Sequence, residues 1–413
     1  MQRTPSIQIK PILAALRRHK AGTILIALQI ALTLAIVCNA LFIIEQRITR
    51  MSRSTGLIES DLLTVQSNWV GVDADTTMPL ARADLLALRQ LPGVLDATLS
   101  NSYPIRGGGW TTDVRIDPNA KNGMATVTQY FTDDHALPAM GLKLLAGRNF
   151  RSDEIGTASR DAYTSPPVII ISAALANKLY PQGSALGKQI YLSTQPSTVI
   201  GIVERLQGAE NSTDSDAYAD DSVLLPLQLT NYANSYLIRA QPGQLATITR
   251  TVPQLLYKLN RMRIIPEKRG LRTFDVVRAQ AYRRDRGMAI LMSAICVILL
   301  AITAAGIVGL TSFWVGQRRK QIGVRRALGA TRGDILSYFL TENLLISLGG
   351  VVLGAVLAIA LNLWLGQLFE LARLSLSYVL AGMVALLLLG QGAVLAPALR
   401  ASRVSPVEAT RSV

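Results

Sequence analysis

Residues 318–331 read RRKQIGVRRALGAT and lie between two long apolar runs. A basic segment of this length between two apolar runs is expected to stay at a membrane surface as a short loop. Such a loop cannot carry a substrate across the bilayer by itself. It can receive force from a partner and pass that force to the helices on either side. The stretch therefore predicts a membrane protein with a partner-contacting loop.

The same stretch predicts a short amphipathic helix. Val324, Ala327 and Leu328 fall on one helical face, which Arg325 and Arg326 flank. A Gly-Ala pair then ends the helix, and the threonine that follows begins a capping-box pattern for the next helix. Two interpretations are open on these residues alone, namely a docking helix for a soluble partner and a basic anchor for anionic lipid headgroups.

Composition places the whole chain in the membrane class. Only 17% of its 413 residues are charged, and the mean hydropathy is +0.31. The net charge of +15 could suggest nucleic acid, but the short segments 1–20, 317–334 and 400–413 hold 14 Lys and Arg against two acidic residues. Such clustering indicates membrane topology, so we expect no nucleic-acid partner.

Four charge-free runs are each long enough to cross a bilayer once, which takes roughly 20 apolar residues. An even number of spans puts both termini on one side, and the basic segments put that side in the cytoplasm of a bacterial inner membrane. A cleaved signal peptide is the alternative for the first run, whose length favours an uncleaved anchor. The predicted spans are 21–44, 287–316, 343–369 and 374–399, and the predicted cytoplasmic segments are 1–20, 317–334 and 400–413.

The large polar region 45–286 is expected outside the cytoplasm, together with the short loop 370–373. Strand–helix–strand patterns at about 60–100 and 234–277 predict two βαβ halves that form one α+β lobe around a β-rich insert. The predicted fold class is an α+β membrane protein with four transmembrane helices and a two-lobed domain between the first two.

Four local predictions concern this region. They are a helix over 80–91 opened by a proline, a final strand over 272–276, a mobile acidic loop over 211–221 and a helical lead-in to the second span over 278–286.

Small residues recur four apart in two of the spans, which lets helix backbones approach closely. Contacts within one chain and a seam between two chains are equally open for both stripes. The predicted packing residues are Ala301, Ala305 and Gly309 in the second span, and Gly350, Gly354 and Ala358 in the third.

The chain offers no catalytic, cofactor-binding or metal-binding pattern. The segment 183–189 is one residue short of a phosphate-binding loop, and a glutamine stands where that loop has Ser or Thr. Cys38 and Cys296 lie in apolar runs and are read as packing residues. No charged residue occurs at a span centre, which argues against a self-powered secondary transporter.

The segment 319–336, RKQIGVRRALGATRGDIL, resembles the signature of the FtsX-like permease domain found in MacB-type ABC transporters. Residues 397–409, PALRASRVSPVEA, are similar to the end of the same domain. Residues 140–150, 171–181 and 186–190 (MGLKLLAGRNF, ISAALANKLYP and LGKQI) resemble the family's periplasmic core domain. The resemblance covers nearly the whole chain in the expected order.

The resemblance implies a type VII ABC permease that works as a dimer with a second copy or a paralogue. It implies mechanotransmission, in which a separate ABC ATPase dimer binds ATP and Mg²⁺ and moves the outer domain through the membrane helices. Membrane lipids and a periplasmic membrane-fusion adaptor are further implied partners. The residues implied to couple to the ATPase are Ile322, Val324, Arg325, Arg326, Ala327, Leu328, Gly329, Ala330 and Thr331.

Three functions are open to such a permease. The leading hypothesis is efflux or extrusion of cargo from the periplasm or the outer leaflet, which the large two-lobed domain favours. The alternatives are an FtsX-like signalling scaffold that activates a cell-envelope partner, and a permease that extracts lipoproteins or lipids. The chain itself is not expected to be an enzyme, because it has no Walker motif.

Overall fold

The structure is a computed structural model that describes residues 20–120, 122–159, 165–230, 235–369 and 373–404. Most of the predicted segments 1–20 and 400–413, and most of the loop 370–373, lie outside these residues. The helices are α1 (Lys20–Ser52), α2 (Ala74–Arg89), α3 (Ala136–Met140), α4 (Ala173–Leu179), α5 (Leu245–Leu259), α6 (Phe274–Ala281), α7 (Arg283–Gln317), α8 (Arg319–Ala327), α9 (Arg332–Phe369) and α10 (Leu376–Ser402).

Strands occur only in the polar part of the described chain. They are β1 (Leu62–Gln66), β2 (Asn68–Trp69), β3 (Val94–Ser100), β4 (Trp110–Val114), β5 (Ala125–Phe131), β6 (Leu144–Gly147), β7 (Gly156–Ser159), β8 (Val168–Ser172), β9 (Gln189–Tyr191), β10 (Pro196–Val203), β11 (Ser222–Leu225), β12 (Leu227–Thr230), β13 (Ser235–Ala240), β14 (Arg263–Ile264) and β15 (Leu271–Thr273).

The chain divides into an apolar helical unit and a mixed unit that spans Ser52–Arg284. Among the described residues, α1, α7, α9 and α10 are long and apolar enough to cross a membrane. The predicted fold class is therefore confirmed: four candidate spans, with an α+β domain between the first and the second. Each candidate helix is longer than the charge-free run that predicted it, because charged residues at the ends continue the helix.

Helix α1 lies at the centre of the helical unit. In its most apolar 18-residue window 56% of the residues are buried, against 17% for α7. The side chain of Trp314 on α7 lies over Gly22 of α1, at 2.8 Å from where a Cβ would stand. Cys38 of α1 lies against Gly382 of α10 in the same way, at 2.6 Å. Contact with several neighbours explains why the first span is the most buried.

Close backbone approach joins α1 to α9. A Cβ added to Gly350 would lie 2.9 Å from the carbonyl oxygen of Ala27, and one added to Gly354 would lie 2.8 Å from that of Ala31. Ala358 continues this stripe and is fully buried. Lipid gives apolar helices no hydrophobic reason to associate, so close contact and hydrogen bonds must hold them together. The Gly350–Gly354–Ala358 stripe therefore packs within the chain.

The stripe predicted in α7 lies on the side of that helix that faces away from α1. Ala301, Ala305 and Gly309 are exposed, and a Cβ on Gly309 would meet no atom within 4 Å. Helix α7 instead buries Thr303, and a Cβ on Gly306 would meet the Gln29 amide of α1 at 2.6 Å. The spacing of small residues predicted a close approach of helices, and in α9 the predicted stripe makes it. In α7 the contact with α1 runs through Thr303 and Gly306 instead.

Short polar links supplement this packing. The hydroxyls of Thr33 and Thr303 are 2.7 Å apart, and the Asn39 amide donates to the carbonyl oxygen of Ala358 over 3.1 Å. At one end of α1, Arg47 pairs with Asp285 of α7 at 2.6 Å. In a medium without water these links replace hydrogen bonds to solvent.

The first lobe of the mixed unit is a four-stranded antiparallel sheet in the order β15-β1-β13-β3. Helix α2 connects β1 to β3, and α5 connects β13 to β15. This is the split βαβ arrangement, in which each half contributes one central and one edge strand. Apolar side chains of both helices and of the sheet share one core, which includes Leu85, Leu88, Ile248 and Val252.

A buried ion pair fixes the end of this lobe. Arg263 donates to both carboxylate oxygens of Asp84 at 2.8 Å, and both side chains are almost fully buried. The Tyr236 hydroxyl donates to the same carboxylate at 2.6 Å, and Arg263 lies over the ring of Trp69 at 4.4 Å. Burial, and then the charge of Asp84, raise the pKa of Tyr236 well above its ordinary value. The phenol therefore stays a donor throughout the physiological range.

The second lobe is inserted between β3 and β13. Its main sheet has the order β4-β5-β11-β8-β10-β6, with β9 paired to β10. The insert leaves the first sheet at Ser100 and returns at Ser235, and these two residues are ladder partners. Arg89 of the first lobe donates to Asp133 of the insert at 2.9 Å, and this contact links the lobes.

The local predictions differ from the structure in several details. The helix predicted over 80–91 spans Ala74–Arg89, so Pro79 lies in its second turn instead of opening it. The strand predicted over 272–276 pairs with β1 only as far as Thr273, and Phe274 begins α6. The loop 211–221 contains a short 3₁₀ helix over Asp216–Tyr218, and Asp216 pairs with Arg53 at 3.1 Å; its mobility stays a prediction.

The fourth local prediction is a helical lead-in over 278–286, and in the structure this segment is interrupted at Tyr282. Tyr282 leaves the helical conformation between α6 and α7, and its ring is buried. The lead-in is therefore two helices rather than one.

Replacement of Gly354 by alanine tests the close contact of α1 and α9. The new methyl group must displace backbone atoms of Ala31, so we expect Gly354→Ala to lower stability by about 1–3 kcal/mol. Gly309→Ala is the matched control, because its methyl group meets open space and alanine favours a helix by about 1 kcal/mol. Thermal unfolding in detergent compares the two variants. Equal melting temperatures would contradict the packing of this stripe.

The buried pair of the first lobe supports a second prediction. Asp84→Ala leaves the Arg263 charge buried without its partner, and we expect a loss of about 3–5 kcal/mol. Lys143 and Glu204 form an exposed pair, so Lys143→Ala should cost about 0–1 kcal/mol. Urea unfolding of the detergent-solubilised protein, followed by near-ultraviolet circular dichroism, measures both. Similar losses in the two variants would count against a structural role for the Asp84 pair.

Candidate functional site

Helix α8 ends in a turn that only glycine adopts easily. Gly329 has a φ of 98°, in the left-handed region. Its N–H donates to the carbonyl oxygen of Arg326 over 3.1 Å, and the N–H of Ala330 donates to that of Arg325 over 3.0 Å. This is the Schellman pattern, which satisfies carbonyl groups that a helix end leaves free. The turn fixes the angle between α8 and the next helix.

The start of α9 has the capping box that the sequence suggests. The backbone N–H of Asp334 donates to the Thr331 hydroxyl over 3.2 Å, and the backbone N–H of Thr331 donates to the Asp334 carboxylate over 2.9 Å. Each side chain thus satisfies the other residue's free amide. Thr331 is exposed and belongs to the turn, so it contributes to the shape of the site rather than to its core.

The inner face of α8 consists of Ile322, Gly323 and Arg326. Ile322 is 5% exposed and belongs to the same buried apolar cluster as Ile335 of α9 and Ala401 of α10. Arg326 donates to the backbone carbonyl oxygen of Ser402 at the end of α10. Residues four apart in a helix lie on one side, so Ile322 and Arg326 together hold α8 against the bundle.

An ion pair fixes the beginning of α8. Arg318, the residue before the helix, donates to both carboxylate oxygens of Glu342 on α9, at 3.0 and 2.9 Å. Both side chains are largely buried. Nearby, the guanidinium of Arg325 lies 5.0 Å from the ring centre of Tyr338, a cation–π contact.

The outer face of α8 consists of Lys320, Val324, Ala327 and Leu328, all of which are exposed. Val324 is 52% exposed and Leu328 is 83% exposed. Among the exposed large apolar side chains of the described residues, Leu328 has the highest exposed fraction, and it lies outside the four apolar spans, so lipid contact within a span does not explain it. An apolar patch with a basic neighbour on a firmly held helix can bind a partner, and it does so without first ordering a flexible segment.

The structure thus divides the residues that were predicted to couple to a partner. Val324, Ala327 and Leu328 lie on the outer face. Arg326 is bound to α10, whereas Arg325 is exposed and contacts the ring of Tyr338. Ile322 is in the core, and the residues 329–331 form the turn.

Sequence reasoning missed two members of the site. Arg318 and Glu342 lie at the ends of the apolar runs of α7 and α9, 24 positions apart in sequence. A signal was present, since Glu342 is the acidic residue directly before a charge-free run. An acid at that position with basic residues close by is a candidate for a buried pair.

Comparison with known proteins covers both units. Residues 23–253 match the family model of the MacB-like periplasmic core domain, and residues 293–406 match that of the FtsX-like permease C-terminal domain. A probable export ATP-binding/permease protein of Pseudomonas fluorescens is 27% identical over 96% of the chain and 58% of its own length. A macrolide export ATP-binding/permease protein of a Shewanella strain is 24% identical over 97% of the chain and 60% of its own length.

The chain therefore spans about 60% of the length of these two curated relatives. Among solved structures, the periplasmic region of MacB from Actinobacillus actinomycetemcomitans is 14% identical, with a TM-score of 0.36 over 56% of this chain and 97% of its own. The extracellular domain of the noncanonic ABC-type transporter YknZ from Gram-positive bacteria is 17% identical, with a TM-score of 0.32 over 51% and 98%.

The turn after α8 gives a test of the site's geometry. Alanine at position 329 must adopt a left-handed conformation at a cost of about 1–2 kcal/mol, so Gly329→Ala should open the turn. We expect hydrogen exchange of a peptide covering 319–331 to become about 5–30 times faster. Gly333→Ala, which has no positive φ, is the control and should leave exchange unchanged. Unchanged exchange in Gly329→Ala would show that the turn does not hold α8.

Proposed function

Because the chain belongs to the FtsX-like permeases that carry a MacB-like periplasmic core domain, it is an ABC transporter permease, and we propose that α8 is its contact with an ATPase. In this proposal an ABC ATPase binds the outer face of α8 and hydrolyses ATP with Mg²⁺. The permease converts the resulting displacement into motion of its α+β domain. The work done on cargo is efflux or extrusion from the periplasm or the outer leaflet.

The observation that carries this proposal is the exposure of Leu328 on a helix whose other side is fixed. Leu328 is 83% exposed, whereas Ile322 on the inner face is 5% exposed. Burying a leucine against a partner contributes about 1.5–3 kcal/mol, and Val324 adds to the same patch. A lipid anchor would also use an apolar face. It would gain most from basic residues, of which Arg326 is bound to α10 while Lys320 and Arg325 are exposed, so the lipid anchor is the alternative that the binding experiment tests.

The orientation of the chain follows from the same proposal. An ATPase needs cytoplasmic ATP, so α8 and both termini lie in the cytoplasm and the Ser52–Arg284 unit lies in the periplasm. The distribution of charge supports this orientation, since the short segments 1–20, 317–334 and 400–413 hold 14 Lys and Arg against two acidic residues. The membrane is the bacterial inner membrane.

A second permease, either identical or a paralogue, completes the transporter in this proposal. The exposed side of α7 is a surface on which it can bind, since Ala301, Ala305 and Gly309 would permit close backbone approach. Membrane lipids cover the remaining apolar surface, and a membrane-fusion adaptor would bind the periplasmic unit.

Loss of the apolar patch tests the ATPase contact. Leu328→Asp places a charge at the centre of the outer face, and we expect affinity for the ATPase to fall at least about 30-fold, as at an interface hot spot. Gly333→Asp is the matched control, because it adds the same charge at an exposed position that is not on α8. Affinity is measured by co-purification in detergent with a candidate ABC ATPase of the same organism, together with ATP turnover.

Two results would contradict the proposal. One is an ATPase that binds wild type and Leu328→Asp equally well. The other is a correctly folded wild-type protein that binds no ATPase and requires acidic lipid for its stability, which would favour the lipid anchor.

A further inference from the structure

The pair formed by Arg318 and Glu342 is unusual for its place in the molecule. It lies at the ends of apolar helices, and the side chains are 11% and 3% exposed. One guanidinium nitrogen contacts both carboxylate oxygens, at 3.0 and 2.9 Å, and the Tyr338 hydroxyl is 3.5 Å from the same nitrogen. Separating these charges would break their mutual contact in a poorly hydrated place, which is costly. The two residues therefore have to move together.

Stability alone does not explain such a pair. A buried ion pair contributes little net stability compared with apolar residues of the same volume, because both charges lose their hydration. What a buried pair does provide is one fixed arrangement of the elements that carry it. Here those elements are the junction of α7 with α8, at Arg318, and the third span, at Glu342.

Two further contacts hold α8 against α9 and α10. Arg326 is bound to the carbonyl oxygen of Ser402, which connects the far end of α8 to α10. Ile322, between the two arginines, shares a buried cluster with residues of α9 and α10. Helix α8 is therefore held at its start, in its middle and at its end, while its outer face remains exposed.

We propose that Arg318 and Glu342 are positioning residues that make α8 and α9 move as one rigid body, so that force applied to the outer face of α8 reaches the third span. This inference rests on the proposed function. It adds that binding of the ATPase and transmission of its motion depend on different residues. Binding uses Val324 and Leu328, and transmission uses the buried pair behind them.

The separation of roles leads to a specific expectation. Glu342→Gln keeps the shape of the side chain and removes its charge, while the outer face of α8 is unchanged. The variant should bind the ATPase with wild-type affinity and fail to pass its motion on. Leu328→Asp should instead lose the ATPase itself, so that no motion reaches α9 in that variant.

A spin label far along α9 reports the motion. Leu363 is 52% exposed and lies 21 residues beyond Glu342, which is roughly 31 Å along a helix. The label is attached to Leu363→Cys in the full chain, with Cys38 and Cys296 replaced by alanine. Its electron paramagnetic resonance spectrum is recorded with the ATPase bound, before and after trapping with Mg-ATP and vanadate. ATPase affinity is measured on the same samples.

We expect Glu342→Gln to reduce the nucleotide-dependent change in the spectrum at least about fivefold while ATPase affinity stays within about twofold of wild type. The charge-swapped variant, Arg318→Glu with Glu342→Arg, should restore at least half of the change. Arg318→Lys, which keeps a charge opposite Glu342, is the second variant if the swap fails to fold, and it should also retain the change. Arg332→Gln removes an exposed charge near α8 and should behave as wild type.

The outcomes separate the two proposals. If wild type binds no ATPase, the proposed function fails and this inference fails with it. If Glu342→Gln loses the ATPase as Leu328→Asp does, the pair only shapes the docking surface and the inference is overturned. The inference is also overturned if Glu342→Gln retains the full spectral change, or if a folded charge-swapped variant fails to restore the change and Arg318→Lys loses it.

Discussion

Close backbone contact between α1 and α9 is the constraint on which the helical unit depends. Apolar side chains gain nothing by leaving lipid for protein, so the helices need contacts that lipid cannot replace. Gly350 and Gly354 supply them by letting the carbonyl oxygens of Ala27 and Ala31 approach where a side chain would otherwise stand. Asn39 adds a hydrogen bond from α1 to the backbone of α9. With α9 fixed in this way, the position of every group attached to its start is fixed as well.

The position of the short helix α8 depends on the contact between α1 and α9. Its start is joined to Glu342 on α9, its middle lies in the bundle core, and its end is bound to α10. The Schellman turn at Gly329 and the capping box at Thr331 set the angle at which α8 meets α9. Under the proposed function, Leu328 would bind a partner without the free-energy cost of ordering a loose segment.

The sequence alone predicted where helices and strands lie along the chain better than which of their faces are buried. Charge-free runs located the four candidate spans. The capping box of Thr331 and Asp334 could be read directly, because both partners lie within one turn. These features depend on residues close together in the chain.

What could not be predicted depends on distant residues. Periodicity shows that α8 has two faces, but the face that is buried is decided by α9 and α10, so Ile322 could not be separated from Val324. The stripes of α7 and α9 have the same spacing of small residues, yet only that of α9 contacts α1. The Arg318–Glu342 pair was missed because its members belong to different predicted segments. The strand expected beyond Thr273 ends where β1 ceases to be its partner.

The point at which the second lobe joins the first has an evolutionary consequence. Ser100 and Ser235 are opposite each other in adjacent strands, so the whole insert begins and ends at one rung of the sheet. An insert with neighbouring ends can be exchanged for another without changing the register of the four strands that carry it. Arg89 now contacts Asp133 of the insert, so a replacement would lose this link between the lobes unless it offered Arg89 an acceptor. Under the proposed function, a second lobe exchanged between Ser100 and Ser235 would change what the domain recognises and leave the strands of the first sheet unaltered.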